Sequence, residues 1–109
     1  MNKKLIDLDP GFVGAGGDGV YRKDENGILQ PVPRREGIGL SFTCPCGCEE
    51  LVYVDFSNPI DGNPPYRADG DTWERVGDDF ENLTLHPSIQ RVGGCNWHGW
   101  IKKGEVITV

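Results

Sequence analysis

The chain has 109 residues, and its 17 acidic against 11 basic side chains give a formal net charge of −6. That balance excludes general nucleic-acid binding, which needs a basic face to displace counterions from phosphates, and no apolar run approaches the roughly 20 residues of a membrane helix. With 16 glycines and 8 prolines, turns and short strands are favoured over long helices, and 1–109 is expected to be a single soluble, cytoplasmic domain.

Residues 1–37 read as an irregular Gly/Pro-rich segment packed on a 38–109 core. Gly14-Ala15-Gly16-Gly17-Asp18-Gly19 satisfies G-x-G-x-x-G by letter. A dinucleotide fingerprint also needs a strand before it and a helix after it. Phe12-Val13 is too short for that strand, Val20-Tyr21 reads as strand, and Pro31 and Pro33 bar a crossover helix. The segment is therefore a surface loop.

From Ile38 the pattern is β. Ile38 to Thr43 alternates, with Leu40 and Phe42 on one face, and Leu51-Val52-Tyr53-Val54-Asp55-Phe56 is rich in β-branched and aromatic residues. The two strands bracket the turn Cys44-Pro45-Cys46-Gly47-Cys48. Ser57 to Asp71 is a long loop of turn residues. Short strands follow around Trp73 to Val76 and Leu83 to Leu85. Trp97 to Ile101 and Glu105 to Val109 then form a last hairpin through Lys102-Lys103-Gly104. The expected architecture is mostly β: a small antiparallel fold with long loops, in which a metal clips the early hairpin turn to the C-terminal hairpin.

That metal rests on the cysteines. Every pairing of Cys44, Cys46, Cys48 and Cys95 would join two thiols of the first cluster, where disulfide geometry is hard to reach without strain. The second cluster, Cys95-Asn96-Trp97-His98, adds an imidazole. Zinc takes a tetrahedral shell of thiolate and imidazole, so one zinc per chain is expected, drawn from Cys44, Cys46, Cys48, Cys95 and His98. The preferred set is Cys44, Cys46, Cys95 and His98, with Cys48 spare or replacing Cys46. Iron–sulfur is the lesser alternative, since a Rieske centre takes one Cys and one His from each loop and the first loop here lacks histidine.

The strings Leu83-Thr84-Leu85-His86-Pro87-Ser88-Ile89 and Gly94-Cys95-Asn96-Trp97-His98-Gly99-Trp100-Ile101, with Cys44 and Cys46 upstream, resemble an uncharacterised phage and bacterial family. Its shared signatures are Cys-x-Cys, Thr-Leu-x-Pro-Ser-Ile and Cys-x-x-His followed by Ile-x-x-Gly. Val13-Gly14-Ala15-Gly16-Gly17 and Arg34-Arg35-Glu36-Gly37 extend the likeness over nearly the whole chain. The resemblance implies metal binding at Cys44, Cys46, Cys95 and His98 and no established activity. Some members carry the label ammonia monooxygenase, which the residues here do not support. Some bacterial relatives lie near ubiquitin-like conjugation genes, which hints at a partner. His86 stands where the family often has a small polar residue, which argues against a shared catalytic role for it.

The functional expectation is a non-enzymatic zinc-binding β module that docks a host or phage protein, because a closed ligand set leaves no open metal position and no acid–base constellation is recognisable. One alternative is a metal-dependent hydrolase or deaminase, with Glu49 and Glu50 near the metal; the deaminase pattern H-x-E is absent. Another is nucleotide or small-ligand capture through Arg34, Arg35, Arg67, Arg75 and Arg91, with Thr84, Ser88 and Arg91 as the most polar cluster. Serine nucleophilicity ranks lower, since no nucleophile elbow or acid partner is visible. No catalytic residue is assigned. Of Trp97 and Trp100, at least one is expected in the core.

Overall fold

The computed structural model describes residues 2–67, 70–91 and 94–109; Ala68 and Asp69 of the expected 57–71 loop lie outside them. The fold is mostly β and its sheets are antiparallel, as the residue pattern predicts. The central hairpin pairs β5 (Arg35–Thr43) with β6 (Leu51–Asp55), Thr43 opposite Leu51, so the cysteine turn closes it. Leu40, Phe42, Val52 and Val54 fill its inner face. On the outer face Leu51 and Tyr53 stay exposed, as period-two alternation requires.

Residues 1–37 are more regular than their composition implied. β1 (Asn2–Lys4) adds to an edge strand, a 3-10 turn over Leu5–Leu8 buries both leucines, and β2 (Gly11–Ala15) pairs with β5. β3 (Tyr21–Lys23) and β4 (Leu29–Pro31) form a separate exposed hairpin. None of these strands alternates clearly. Each is made a strand by its partner, a tertiary cause that local propensity does not carry.

β7 (Glu74–Val76) pairs with β8 (Thr84–His86). After a cis His86–Pro87 peptide, β9 (Ile89–Gln90) adds to the sheet ordered β1-β11-β10-β9, where β10 is His98–Lys102 and β11 is Glu105–Thr108. The core lies between this sheet and the central hairpin. Ile89, Ile101 and Val106 from the first meet Phe42, Val54 and Phe56 from the second. Trp97 is buried and packs edge-on against Phe42, its Nε1 donating to Thr108 Oγ1 at 3.0 Å. Trp100 is half-buried under the Lys102 ammonium, 4.8 Å from its ring centroid. Gly99 sits where a Cβ would fall 2.4 Å from the Ile107 carbonyl oxygen and 2.5 Å from the Trp97 ring, so only glycine fits. Among the described residues no helix is long and apolar enough to cross a membrane.

Candidate functional site

Two chemical groups lie on either side of the β9–β10 connection. The first is the thiol cluster. Thr43 and Leu51 hold the ends of the cysteine turn, the Cys44 N–H donates to the Glu50 carbonyl at 2.8 Å, and Gly47 takes a φ of 95° inside it. The turn thereby gathers three sulfurs, and Cys95 arrives from beyond β9. Cys44 Sγ lies 3.3 Å from Cys46 Sγ and 3.6 Å from Cys95 Sγ, and Cys48 Sγ lies 3.8 Å from Cys95 Sγ. All four sulfurs fall within 4.8 Å of one another. They are close enough to hold one metal ion. A tetrahedron with metal–sulfur bonds of about 2.3 Å has edges of about 3.8 Å, so the spacing fits zinc.

The surroundings favour charge on one of these sulfurs, that of Cys95. Hydrogen bonding from the Cys46 thiol, joined by the Trp97 N–H and the Cys44 and Cys48 thiols, lowers the Cys95 thiol to about 6 against the pull of burial. Burial pushes the Cys44 thiol up. The Arg91 guanidinium caps the cluster, with Nη1 3.4 Å from Cys95 Sγ and 3.6 Å from Cys48 Sγ, while Nη2 donates to Glu50 Oε2 at 2.7 Å. Glu50 thus reaches the cluster through Arg91. Glu49, at a positive φ of 62°, is exposed.

His98 stands apart from the four-sulfur group. Its Nε2 lies 3.1 Å from Ser88 Oγ, and both side chains are half-buried. This is the second group. Ser88 lies between Pro87 and β9, and Trp73 Nε1 donates to its carbonyl at 3.2 Å. Trp73 is fixed in turn by backbone bonds, its N–H to the Asp55 carbonyl and its carbonyl from the Ser57 N–H, each 2.9 Å. A cleft of about 360 Å³ opens beside Ser88, lined by Asp71, Thr72, Trp73, Pro87 and Gln90.

The expected polar cluster of Thr84, Ser88 and Arg91 does not form. Thr84 Oγ1 accepts from the Lys103 N–H, Ser88 faces His98, and Arg91 faces the thiols. Three of the other candidate phosphate arginines are engaged internally. Arg34 pairs with Glu36, Arg35 pairs with Asp61, and Arg75 donates to the Gly77 and Pro59 carbonyls.

A small antiparallel β protein with a Ser–His pair at an open cleft, next to a thiol cluster able to hold a metal, is the class that fold and site define. Residues 20–109 match the family model described as bacterial ubiquitination-like system serine protease (BubE), and the chain belongs to that family. No curated protein and no solved structure matches it. The expectation of a bacterial family is borne out at the level of that description, which says nothing of phage members. The expected non-enzymatic interaction module is overturned, because the family is named for proteolysis. The error has a physical source. Counting His98 with the cysteines drew attention away from Ser88, and the ten-residue gap between the two hid their contact.

Proposed function

We propose that this chain is a serine hydrolase of a bacterial ubiquitination-like system, cleaving an acyl bond to a protein of that system with Ser88 as nucleophile and His98 as general base. The observation that carries it is the 3.1 Å contact between Ser88 Oγ and His98 Nε2, within the reach a nucleophile–base pair requires. Ser88 Oγ attacks the carbonyl carbon at the cleft and its proton passes to His98 Nε2. The tetrahedral adduct collapses as that proton moves to the leaving group. Water, deprotonated by the same imidazole, then releases the acyl chain and restores Ser88.

The four thiols serve as a structural zinc site in this reading, since a full tetrahedral thiolate shell is closed to substrate. Thiolate ligands of this kind suit a reducing cytoplasm. The ion supplies folding energy and no reaction step. His98 is thereby free for acid–base work.

A fluorophosphonate probe, which phosphorylates activated serines, tests the hydrolase. The wild-type protein is expected to label at Ser88. Ser88→Ala is expected to lose the label, and His98→Gln to react at least 100-fold more slowly, both with unchanged circular dichroism. A folded wild-type protein that does not label sinks the reading. Zinc content separates the two groups: Cys48→Ser is expected to weaken zinc binding at least tenfold, whereas His98→Gln keeps one zinc per chain. Loss of zinc from folded His98→Gln would return His98 to the ligand set.

A further inference from the structure

For His98 Nε2 to accept the Ser88 proton, Nδ1 must carry the ring hydrogen, and a tautomer fixed this way needs an acceptor at Nδ1. Among the described residues, the Ser88 contact is the ring's sole hydrogen bond. Carboxylates usually fill this role, but the register points to a different residue. His98 lies directly opposite Gln90 in the β9–β10 ladder. The Arg91 N–H bonds to the Trp97 carbonyl at 2.9 Å, and the Val109 N–H bonds to the His98 carbonyl at 3.0 Å. The His98 backbone therefore pairs with β11, which makes Gln90 and His98 a non-hydrogen-bonded cross-strand pair. Such pairs bring their side chains closer than any others in an antiparallel ladder. Alternation puts Ser88, Gln90 and His98 on one face of the sheet, and Gln90 lines the same cleft as Ser88. The Gln90 side chain is exposed and makes no hydrogen bond among the described residues, so its carboxamide is free to turn.

We infer that Gln90 is the positioning residue of this site: its Oε1 accepts the Nδ1 hydrogen of His98, fixing the tautomer and ring plane with which Nε2 faces Ser88. The proposal rests on the Ser88–His98 hydrolase reading, and its test includes a readout that does not need turnover.

That readout is the ¹⁵N NMR signature of the His98 ring in the zinc-loaded full chain, alongside the pH profile of fluorophosphonate labelling, in wild type, Gln90→Ala and Gln90→Glu. Wild type is expected to show the Nδ1–H tautomer. Gln90→Ala is expected to show a tautomer mixture and to label about 10- to 100-fold more slowly. Gln90→Glu is expected to restore the tautomer, recover most of the rate, and move the acidic limb of the profile upward by about one pH unit. A purely structural role for Gln90 would not produce that upward shift. Nδ1–H persisting unchanged in Gln90→Ala overturns the inference. So does a Gln90→Glu protein as slow as Gln90→Ala with an unmoved acidic limb, the result expected if the amide instead donates to the reacting oxygen. A wild type that fails to label while its tautomer still depends on Gln90 sinks the hydrolase reading and leaves the Gln90–His98 contact standing.

Discussion

Trp73 reaches Ser88 only through the serine's main chain. Its Nε1–H bond to the Ser88 carbonyl fixes the backbone just after Pro87, and Ser88 Oγ inherits its position from that bond. Trp73→Phe keeps the ring but removes the donor, leaving a half-buried carbonyl without its partner at a cost of about 1 kcal/mol. The expected outcome is a small fall in Tm and, on the proposed hydrolase reading, a larger loss of labelling rate at Ser88, because a loosened Ser88 spends less time in line with His98. Equal losses in stability and rate would show that Trp73 only packs. The arginines show the opposite behaviour. Arg91 is anchored to Glu50 and to two sulfurs and has little freedom left for a substrate anion. Arg91→Ala is expected to speed zinc loss to a chelator several-fold, since a cation beside a thiolate shell offsets its charge, while the labelling rate changes less.

At the scale of elements, two hairpins divide the work. β5–β6 presents a turn whose sulfurs need a glycine: at φ 95°, Gly47 has open space around it but a backbone angle that other residues reach only with strain. Gly47→Ala is expected to cost about 1–2 kcal/mol of stability in zinc-loaded protein, read as a lowered Tm. The β9–β10 pairing brings Ser88 to His98, and its connection also carries Cys95. One connection thus carries residues of both groups, and a metal held by the four sulfurs would clip Cys95 to the β5–β6 turn and limit how far β9 can drift from β10. If the four thiols hold the proposed zinc, removing it with a chelator is expected to lower Tm by several degrees or more, because metal binding is coupled to folding. Hydrogen exchange is expected to quicken first at β9. Much of the element pattern was legible in the sequence. The alternation at Ile38–Thr43 and Leu51–Asp55 and the Gly-containing turn before Glu105 all became strands or turns as read. β9 was not, because two residues show no period, and β1 and β2 were not, because their pairing partners are distant.

On the scale of the whole molecule, a modest core is supplemented by polar ties. Phe42, Leu40, Val54 and Phe56 meet Leu83, Leu85, Ile101 and Val106 in one buried cluster. Phe42→Ala is expected to cost about 3–5 kcal/mol, a large part of what a domain this size holds in reserve. The loop after β6 is held to β5 by a two-pronged pair, Arg35 Nε and Nη2 at 2.8 and 3.0 Å from the Asp61 oxygens. The Arg35 guanidinium, helped by the Asn63 N–H, keeps the Asp61 carboxyl well below the usual carboxylate range. A group whose folded pKa is depressed stabilises at pH values above its unfolded one, near 4, and loses that contribution as pH falls toward the folded value. The Tm difference between wild type and Asp61→Asn is therefore expected to be full at pH 7 and to close on acidification. A difference that persists unchanged into acid would assign the effect to packing.

Residue identity by itself determined the β class and the thiol cluster. Alternation repeats every two residues, and three cysteines within five positions bring their sulfurs together by proximity alone, so both signals are local. The tertiary structure decided which side chain the histidine meets. His98 is three residues from Cys95, a spacing that reads as metal ligation in one dimension. Strand pairing turns its ring away from the sulfurs and onto Ser88. No short-range pattern encodes that choice, because it depends on which strand lies beside β10 and in what register.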